Sequence, residues 1–226
     1  MFQYAFARIL ASELGFIFSV PPLNFFPEIV CHGEGKVIHE PRMQLNDLEA
    51  KVTAAPLAAV VESCRGKRVE LVGYFQRADY YTPYRDLIRQ WFQKVPRKLQ
   101  QASLHVRGKD FKEATPNIAY YQEALKSVPP EITRVVYTDD PGLPLVADLT
   151  RLGCSVSKVD AKSAFFEISD SDFIITSMST FSWWAAFLSS ATVVQPEPLS
   201  GWRRRSDARR FMTVPDWLNI KITKVA

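Results

Sequence analysis

Ser177-Met-Ser-Thr-Phe-Ser-Trp-Trp-Ala-Ala-Phe-Leu188 is an uncharged run of twelve residues with three serines, one threonine and two adjacent tryptophans. It follows Phe173-Ile-Ile-Thr176, which reads as a short buried strand. Thr180 onward reads as a helix, with Ser179 or Thr180 as its N-cap. A strand that ends in small hydroxyl residues and opens a helix suits an anion. The first amides of the helix point outward, and the hydroxyls add donors. Many α/β proteins hold a nucleotide phosphate in this way, at the carboxyl ends of their strands. The plain alternative is a strand, a turn and a helix with an ordinary capping residue. Ser177, Ser179, Thr180, Phe181 and Ser182 are the candidate binding residues of this stretch.

Two further stretches have the same form. Ser103-Leu-His-Val-Arg-Gly-Lys-Asp-Phe111 begins with an apolar alternation and ends in polar groups. His105, Arg107 and Lys109 fall at i, i+2 and i+4, one side of an extended strand. An arginine at a strand end grips a phosphate through two N–H groups. The alternative is an edge strand with a solvated basic tip. Arg134-Val-Val-Tyr-Thr-Asp-Asp-Pro141 runs from β-forming residues into paired acids and a proline turn. Asp139 and Asp140 there suit a ribose, a guanine edge, a metal or an arginine, or serve as a turn and helix cap.

In this order the stretches resemble the GDP-fucose-dependent fucosyltransferases, most nearly the α-1,2-fucosyltransferases of glycosyltransferase family 11. That family carries His-x-Arg-Arg-x-Asp, then a strand ending in Asp-Asp, then a Ser-x-Ser-Thr-Phe-Ser-Trp-Trp-Ala-Ala helix. Met1-Phe-Gln-Tyr-Ala-Phe6 is similar to the hexapeptide that follows the family's Gly-Gly-Leu-Gly-Asn-Gln loop. Gly73-Tyr-Phe-Gln76 is similar to its mid-chain Gly-Tyr-Phe-Gln, and Val193-Val-Gln-Pro196, Trp202 and Pro215-Asp-Trp217 echo its C-terminal positions. The resemblance spans most of the chain.

It implies a GT-B-like α/β fold, two Rossmann-like lobes with parallel sheets and a cleft between them. Residues 1–99 would form the acceptor-side lobe and residues 100–226 the donor-binding lobe. The implied activity is transfer of fucose from GDP-fucose to a glycan hydroxyl, inverting and independent of metal, with no cofactor beyond the donor substrate. A galactose-containing oligosaccharide is the implied acceptor. Arg107 and His105 take the catalytic roles, Arg107 at the departing phosphate and His105 at the guanosine or fucose. Asp110, Asp139, Asp140, Ser177, Ser179, Thr180, Phe181 and Ser182 take the donor-binding roles. Asp79, just after Gly-Tyr-Phe-Gln, is the candidate base on the acceptor hydroxyl.

Two departures stand out. Gly108 occupies the place of the family's second arginine, with Lys109 next to it as a mobile point charge. The chain also begins after the place of the glycine-rich loop, so the first strand and that loop are expected to be missing from it. The alternative function is a non-catalytic nucleotide- or glycan-binding module derived from the same fold.

Composition narrows the other classes. The chain has 226 residues, 47% hydrophobic and 23% charged, room for one large or two small domains. Its net charge of +4 owes much to Arg203, Arg204, Arg205, Arg209 and Arg210. Such a cluster suits nucleic acid, an anionic membrane or the phosphates of a sugar nucleotide; without interleaved aromatics it is read as a solvated loop. Cys31, Cys64 and Cys154 are far apart and odd in number, which argues against a disulfide framework and for a reducing cytoplasm. His32, His39 and Cys31 have poor spacing for a metal. The run from Phe173 to Gln195 holds eight Ser and Thr residues and breaks into several elements, so it is not read as a membrane span. Arg8 and Glu13 interrupt the opening apolar stretch, which has no basic start and does not read as a signal peptide. The expected location is the cytoplasm, free or peripheral to a membrane.

The periodicity orders the chain. Phe2 to Leu14 is an amphipathic helix ended by Gly15. Phe16 to Val20 is a strand stopped by Pro21. Leu45 to Cys64 holds one or two short helices, Val69 to Tyr74 a strand, and Tyr84 to Val95 a helix stopped by Pro96. After a boundary near residues 96 to 102, strands at 103–107, 134–138, 155–159, 173–176 and 192–195 alternate with helices at 118–127, 143–152, 164–169 and 180–190. Such alternation predicts a parallel sheet covered on both faces.

Overall fold

The computed structural model describes residues 1–29, 32–47, 55–92, 98–109, 115–197 and 212–220. Cys31, Asp110 and the arginine cluster from Arg203 to Arg210 lie outside the described residues. The chain divides into two compact units, Met1–Gln93 with Arg203–Val214, and Lys94–Trp202 with Pro215–Ala226.

In the first unit, helix α1 (Phe2–Leu14) buries Phe2, Tyr4, Ala5, Phe6, Ile9, Leu10 and Ala11. It stops at Gly15, whose φ of 65° is left-handed and returns its N–H to the Ala11 carbonyl. Strands β1 (Arg42–Asn46) and β2 (Arg68–Val72) pair in parallel, joined through helix α2 (Leu57–Cys64). Helices α3 (Ala78–Tyr81) and α4 (Arg85–Trp91) follow, with a 3₁₀ turn between them. Phe6 stacks on Phe75 at 4.4 Å, and Tyr4 and Phe26 meet Phe92 edge-on. The strand expected at Phe16 to Val20 forms only isolated bridges, Phe16 to Lys36 and Ser19 to His32. One bridge is parallel and the other antiparallel, so no ladder propagates from either. β1 replaces part of the helix expected from Leu45, because Met43 and Leu45 alternate with polar neighbours.

The second unit is a six-stranded, all-parallel sheet. Its strands are β3 (Leu99–Val106), β4 (Thr133–Thr138), β5 (Ser155–Val156), β6 (Ser171–Ile175), β7 (Thr192–Pro196) and β8 (Leu218–Ile220). Four helices connect the first five of them: α5 (Ile118–Leu125), α6 (Pro144–Arg151), α7 (Ala161–Asp170) and α8 (Thr180–Leu188). The spatial order is β5-β4-β3-β6-β7-β8. Counted within the unit this is 3-2-1-4-5-6, the doubly wound Rossmann order. The chain winds outward from β3 to β5, crosses back through α7, and winds the other way from β6.

β3 lies at the centre and is buried on both faces from Ala102 to Val106. Ala102, Leu104 and Val106 pack with Tyr120, Tyr121, Val136, Val146, Leu149, Ile175 and Val194. The opposite face carries a polar network. Gln101 donates to Ser103, Tyr137 and Ser171 at 3.0–3.2 Å, and Tyr137 donates to Glu167 on α7 at 2.8 Å. These buried groups satisfy one another, which is what makes their burial tolerable.

Candidate functional site at the switch point of the sheet

Sheet register decides which residues meet. Leu104 lies beside Val136 and Ile175, so β3, β4 and β6 end level with one another. Their carboxyl ends hold His105 and Arg107, Asp139 and Asp140, and Ser177 to Phe181. The topological switch point falls between β3 and β6. In open α/β sheets that is where a crevice forms and ligands bind.

Arg107 Nη1 donates to Asp139 Oδ2 at 2.7 Å, with side chains 35% and 24% exposed. Partly screened by solvent, the pair adds little stability, but it fixes the direction of the guanidinium. Asp139 Oδ1 accepts from the Gly108 amide at 2.7 Å, so one carboxylate braces both sides of the β3 loop. Thr115 adds a hydroxyl bond to the Arg107 carbonyl. Asp140 serves the turn: its amide donates to Thr138 Oγ1 at 3.1 Å and its carboxylate accepts from Gly142 N at 3.2 Å. Lys109 is exposed.

Gly108 is packed. A Cβ there would lie 2.6 Å from Leu143 Cδ1 and 2.7 Å from Asp140 Cβ. An arginine at this position needs the turn at residues 139–143 to move. The glycine is therefore part of how this loop closes on its neighbour.

His105 is 5% exposed. Its Nδ1 lies 2.7 Å from Ser177 Oγ, and Phe181 stacks on the ring at 5.2 Å and 28°. Phe165 of α7 meets Phe181 edge-on at 5.5 Å. Tyr121 of α5 donates to the His105 carbonyl at 2.7 Å, and Tyr120 donates to the Thr176 carbonyl at 2.8 Å. Burial pushes the imidazole down to about 4; the Asp139 carboxylate opposes that shift and the Arg107 guanidinium adds to it. At neutral pH His105 is an uncharged hydrogen-bonding group.

The α8 turn is built by its own hydroxyls. Ser179 is the N-cap and accepts from the Phe181 amide at 3.3 Å. Ser182 is fully buried, donates to the Ser179 carbonyl at 3.3 Å and accepts from the Ser177 amide at 3.4 Å. It shapes the turn and has no surface to offer a ligand. Thr180 is exposed and Ser179 and Phe181 are partly so. The structure thus gathers Arg107, His105, Asp139, Ser177, Ser179, Thr180 and Phe181 at one sheet end. The sequence missed the His105–Ser177 pair and the two tyrosine hydroxyls behind it. The adjacent Tyr120 and Tyr121 on a helix after β3 were the only signal for the latter.

In the first unit, the opening hexapeptide and Gly73-Tyr-Phe-Gln76 meet. Gln3 Nε2 donates to the Gly73 carbonyl at 2.8 Å. The Asp47 carboxylate accepts from the amides of Tyr74 and Phe75, and Phe75 takes a φ of 52°. A Cβ on Gly73 would fall 1.6 Å from Asp47 Oδ1, so only glycine fits. Both Asp79 oxygens accept from Arg77, which also bonds the Ala55 carbonyl and Tyr80. Asp79 is a structural partner of that arginine. A hollow of about 860 Å³ lies between α1 and the flank of β1 and β2, floored by Leu10, Ala11, Met43 and Val69. Lys36, His39, Arg42, Lys67, Arg68 and Glu70 also line it, so it is a largely basic recess beside the two-stranded sheet.

Among the described residues no helix is long and apolar enough to cross a membrane, and no three His, Cys, Asp or Glu side chains cluster to hold a metal. No protein-family model, curated protein or solved structure matches the chain.

Proposed function

We propose that the second unit binds the GDP moiety of GDP-fucose and that the protein transfers fucose to a glycan hydroxyl. The observation that carries the reading is the Arg107–Asp139 pair at the carboxyl end of the Rossmann-ordered sheet, next to His105, which touches Ser177 and Phe181 at the entry to α8. Those are the groups that a departing nucleotide diphosphate needs. In the reaction the bond from fucose C1 to the β-phosphate oxygen breaks, and its electron pair goes to the phosphate. The acceptor oxygen bonds C1 from the opposite face and its proton passes to solvent, so that the products are GDP, the fucosylated glycan and one proton. A fixed cation and helix amides aimed at the developing negative charge lower the barrier. Arg107 supplies the cation, Ser179 and Thr180 line the anion side of the helix, and neutral His105 hydrogen-bonds the guanosine or sugar. A GT-B-like pairing of two lobes across a cleft belongs to this reading, as does an oligosaccharide acceptor.

A second reading, a nucleotide-binding module without turnover, is favoured by Gly108. Its close packing leaves one arginine in the β3 loop where the family motif has two. Calorimetric titration of GDP and GDP-fucose into the chain, with Arg107→Ala alongside, tests the site. Binding weakened at least tenfold in the variant is expected. No binding of either nucleotide to the parent chain overturns both readings. GDP-fucose binding without hydrolysis or transfer leaves the second.

A further inference from the structure

The Ser177 hydroxyl is 2.7 Å from His105 Nδ1, and both residues are only 5% exposed. Among the described residues that nitrogen is the hydroxyl's one partner. A buried O–H left without an acceptor loses about 1–3 kcal/mol, so the hydroxyl must donate and Nδ1 must accept. A neutral imidazole that accepts at Nδ1 carries its proton on Nε2. Phe181 stacked on one face holds the ring in this orientation, and the Tyr121 bond to the His105 carbonyl fixes the strand that carries it. We infer that Ser177 is a positioning residue that locks His105 as the Nε2–H tautomer, so that a ligand reaching the ring at the switch point meets a neutral donor, not a base. Ser177 then acts through His105 and does not itself touch the ligand. The lock rests on hydrogen bonds within the protein; the identity of its ligand, an oxygen of the guanosine or the sugar, rests on the proposed function. A donor beside Arg107 suits such an acceptor-rich group, and it rules out His105 as the group that takes the acceptor's proton.

The test is long-range ¹H–¹⁵N correlation on the full chain labelled with [¹⁵N]histidine at neutral pH. The chain has three histidines, and His105→Gln identifies the signals of interest. The expected pattern for His105 is an unprotonated Nδ1 and a protonated Nε2. Ser177→Ala should convert it to an average of the two tautomers, and Ser177→Thr should restore it. A protonated Nδ1 in the parent chain, an averaged or imidazolium pattern there, or a pattern unmoved by Ser177→Ala overturns the lock. The parent spectrum decides the matter even where Ser177→Ala does not fold. In a parallel GDP titration, Ser177→Ala should weaken binding about fivefold, one net hydrogen bond, with Ser177→Thr near the parent. Failure of the parent chain to bind GDP counts against the nucleotide reading alone, because the tautomer is read without ligand.

Discussion

Burial of His105 has a consequence for stability that is separable from any ligand. In the unfolded chain a histidine takes up its proton near the ordinary value of about 6.5. The folded protein holds that proton off until about 4, because the ring is desolvated, with Arg107 adding to the effect against the pull of Asp139. Between those values the unfolded state binds the extra proton. The contribution of the neutral ring is therefore fully present above about pH 6.5 and is lost as pH falls toward about 4. The full loss is on the order of 3 kcal/mol. The expected outcome is that the stability gap between the parent chain and His105→Gln, measured by urea unfolding, narrows by that order between about pH 7 and pH 4. A gap that does not change with pH removes the buried neutral ring from the account. At this scale the sequence was informative where residues lie close in the chain. His105, Arg107 and Asp139 follow from strands that run into polar tips. The Ser177 partner of His105 stands 72 residues away, and only the adjacency of β3 and β6 brings the two together.

Helix α8 shows what an uncharged helix means. Seven consecutive residues, Ser182 to Leu188, are buried. No face of it is polar, because α7 covers one side and Trp217 packs on another through Trp183. That is why the run from Phe173 to Gln195 carries no charge, and why a reader is tempted toward a membrane span. Its Ser and Thr content was the useful discriminator: Ser179 caps the helix, and Ser182 and Ser189 bond carbonyls one turn back. Phe187 is fully buried, stacks on Trp183 at 4.7 Å and meets Trp184 edge-on at 5.6 Å. Phe187→Ala is expected to destabilise the second unit by about 3–5 kcal/mol, with the cavity adding to the lost transfer energy. Tryptophan fluorescence in urea reports it directly, since Trp183 and Trp184 line the same space. A change below about 1 kcal/mol would mean that the site collapses around the gap. Where elements failed to match expectation the causes were local. The segment at Phe16 to Val20 has strand-like residues but no continuous partner. The helix expected at Tyr84 starts one residue later, after a 3₁₀ turn with a proline at its start.

At the scale of the molecule, alternating strands and helices made the α/β class and the parallel sheet legible from Ser103 onward. Strand order was not legible. It depends on which edge each crossover takes, and a sequence does not print that choice. β8 was missed because three residues give no period to count, and they lie far along the chain from β7. Yet β8 is the edge strand on that side of the sheet and covers β7. Val194, Gln195 and Pro196 pair with Leu218, Asn219 and Ile220, and Gln195 Nε2 donates to Asn219 Oδ1 at 2.8 Å. Glu197 N donates to the Ile220 carbonyl at 2.8 Å, and Trp217 lies 5.9 Å from Trp183. A chain ended after Asp216 keeps every other strand of the unit but turns β7 into an open edge. Its apolar residues would face solvent beside unpaired backbone groups, the arrangement that invites pairing between molecules. The shortened chain should self-associate as its concentration rises and should melt below the parent, whereas the parent holds a constant size. Light scattering coupled to size exclusion at several loadings makes the comparison. A shortened chain that matches the parent in both size and melting would show that the sheet is complete at β7, and that Trp217 contributes nothing to the packing of α8.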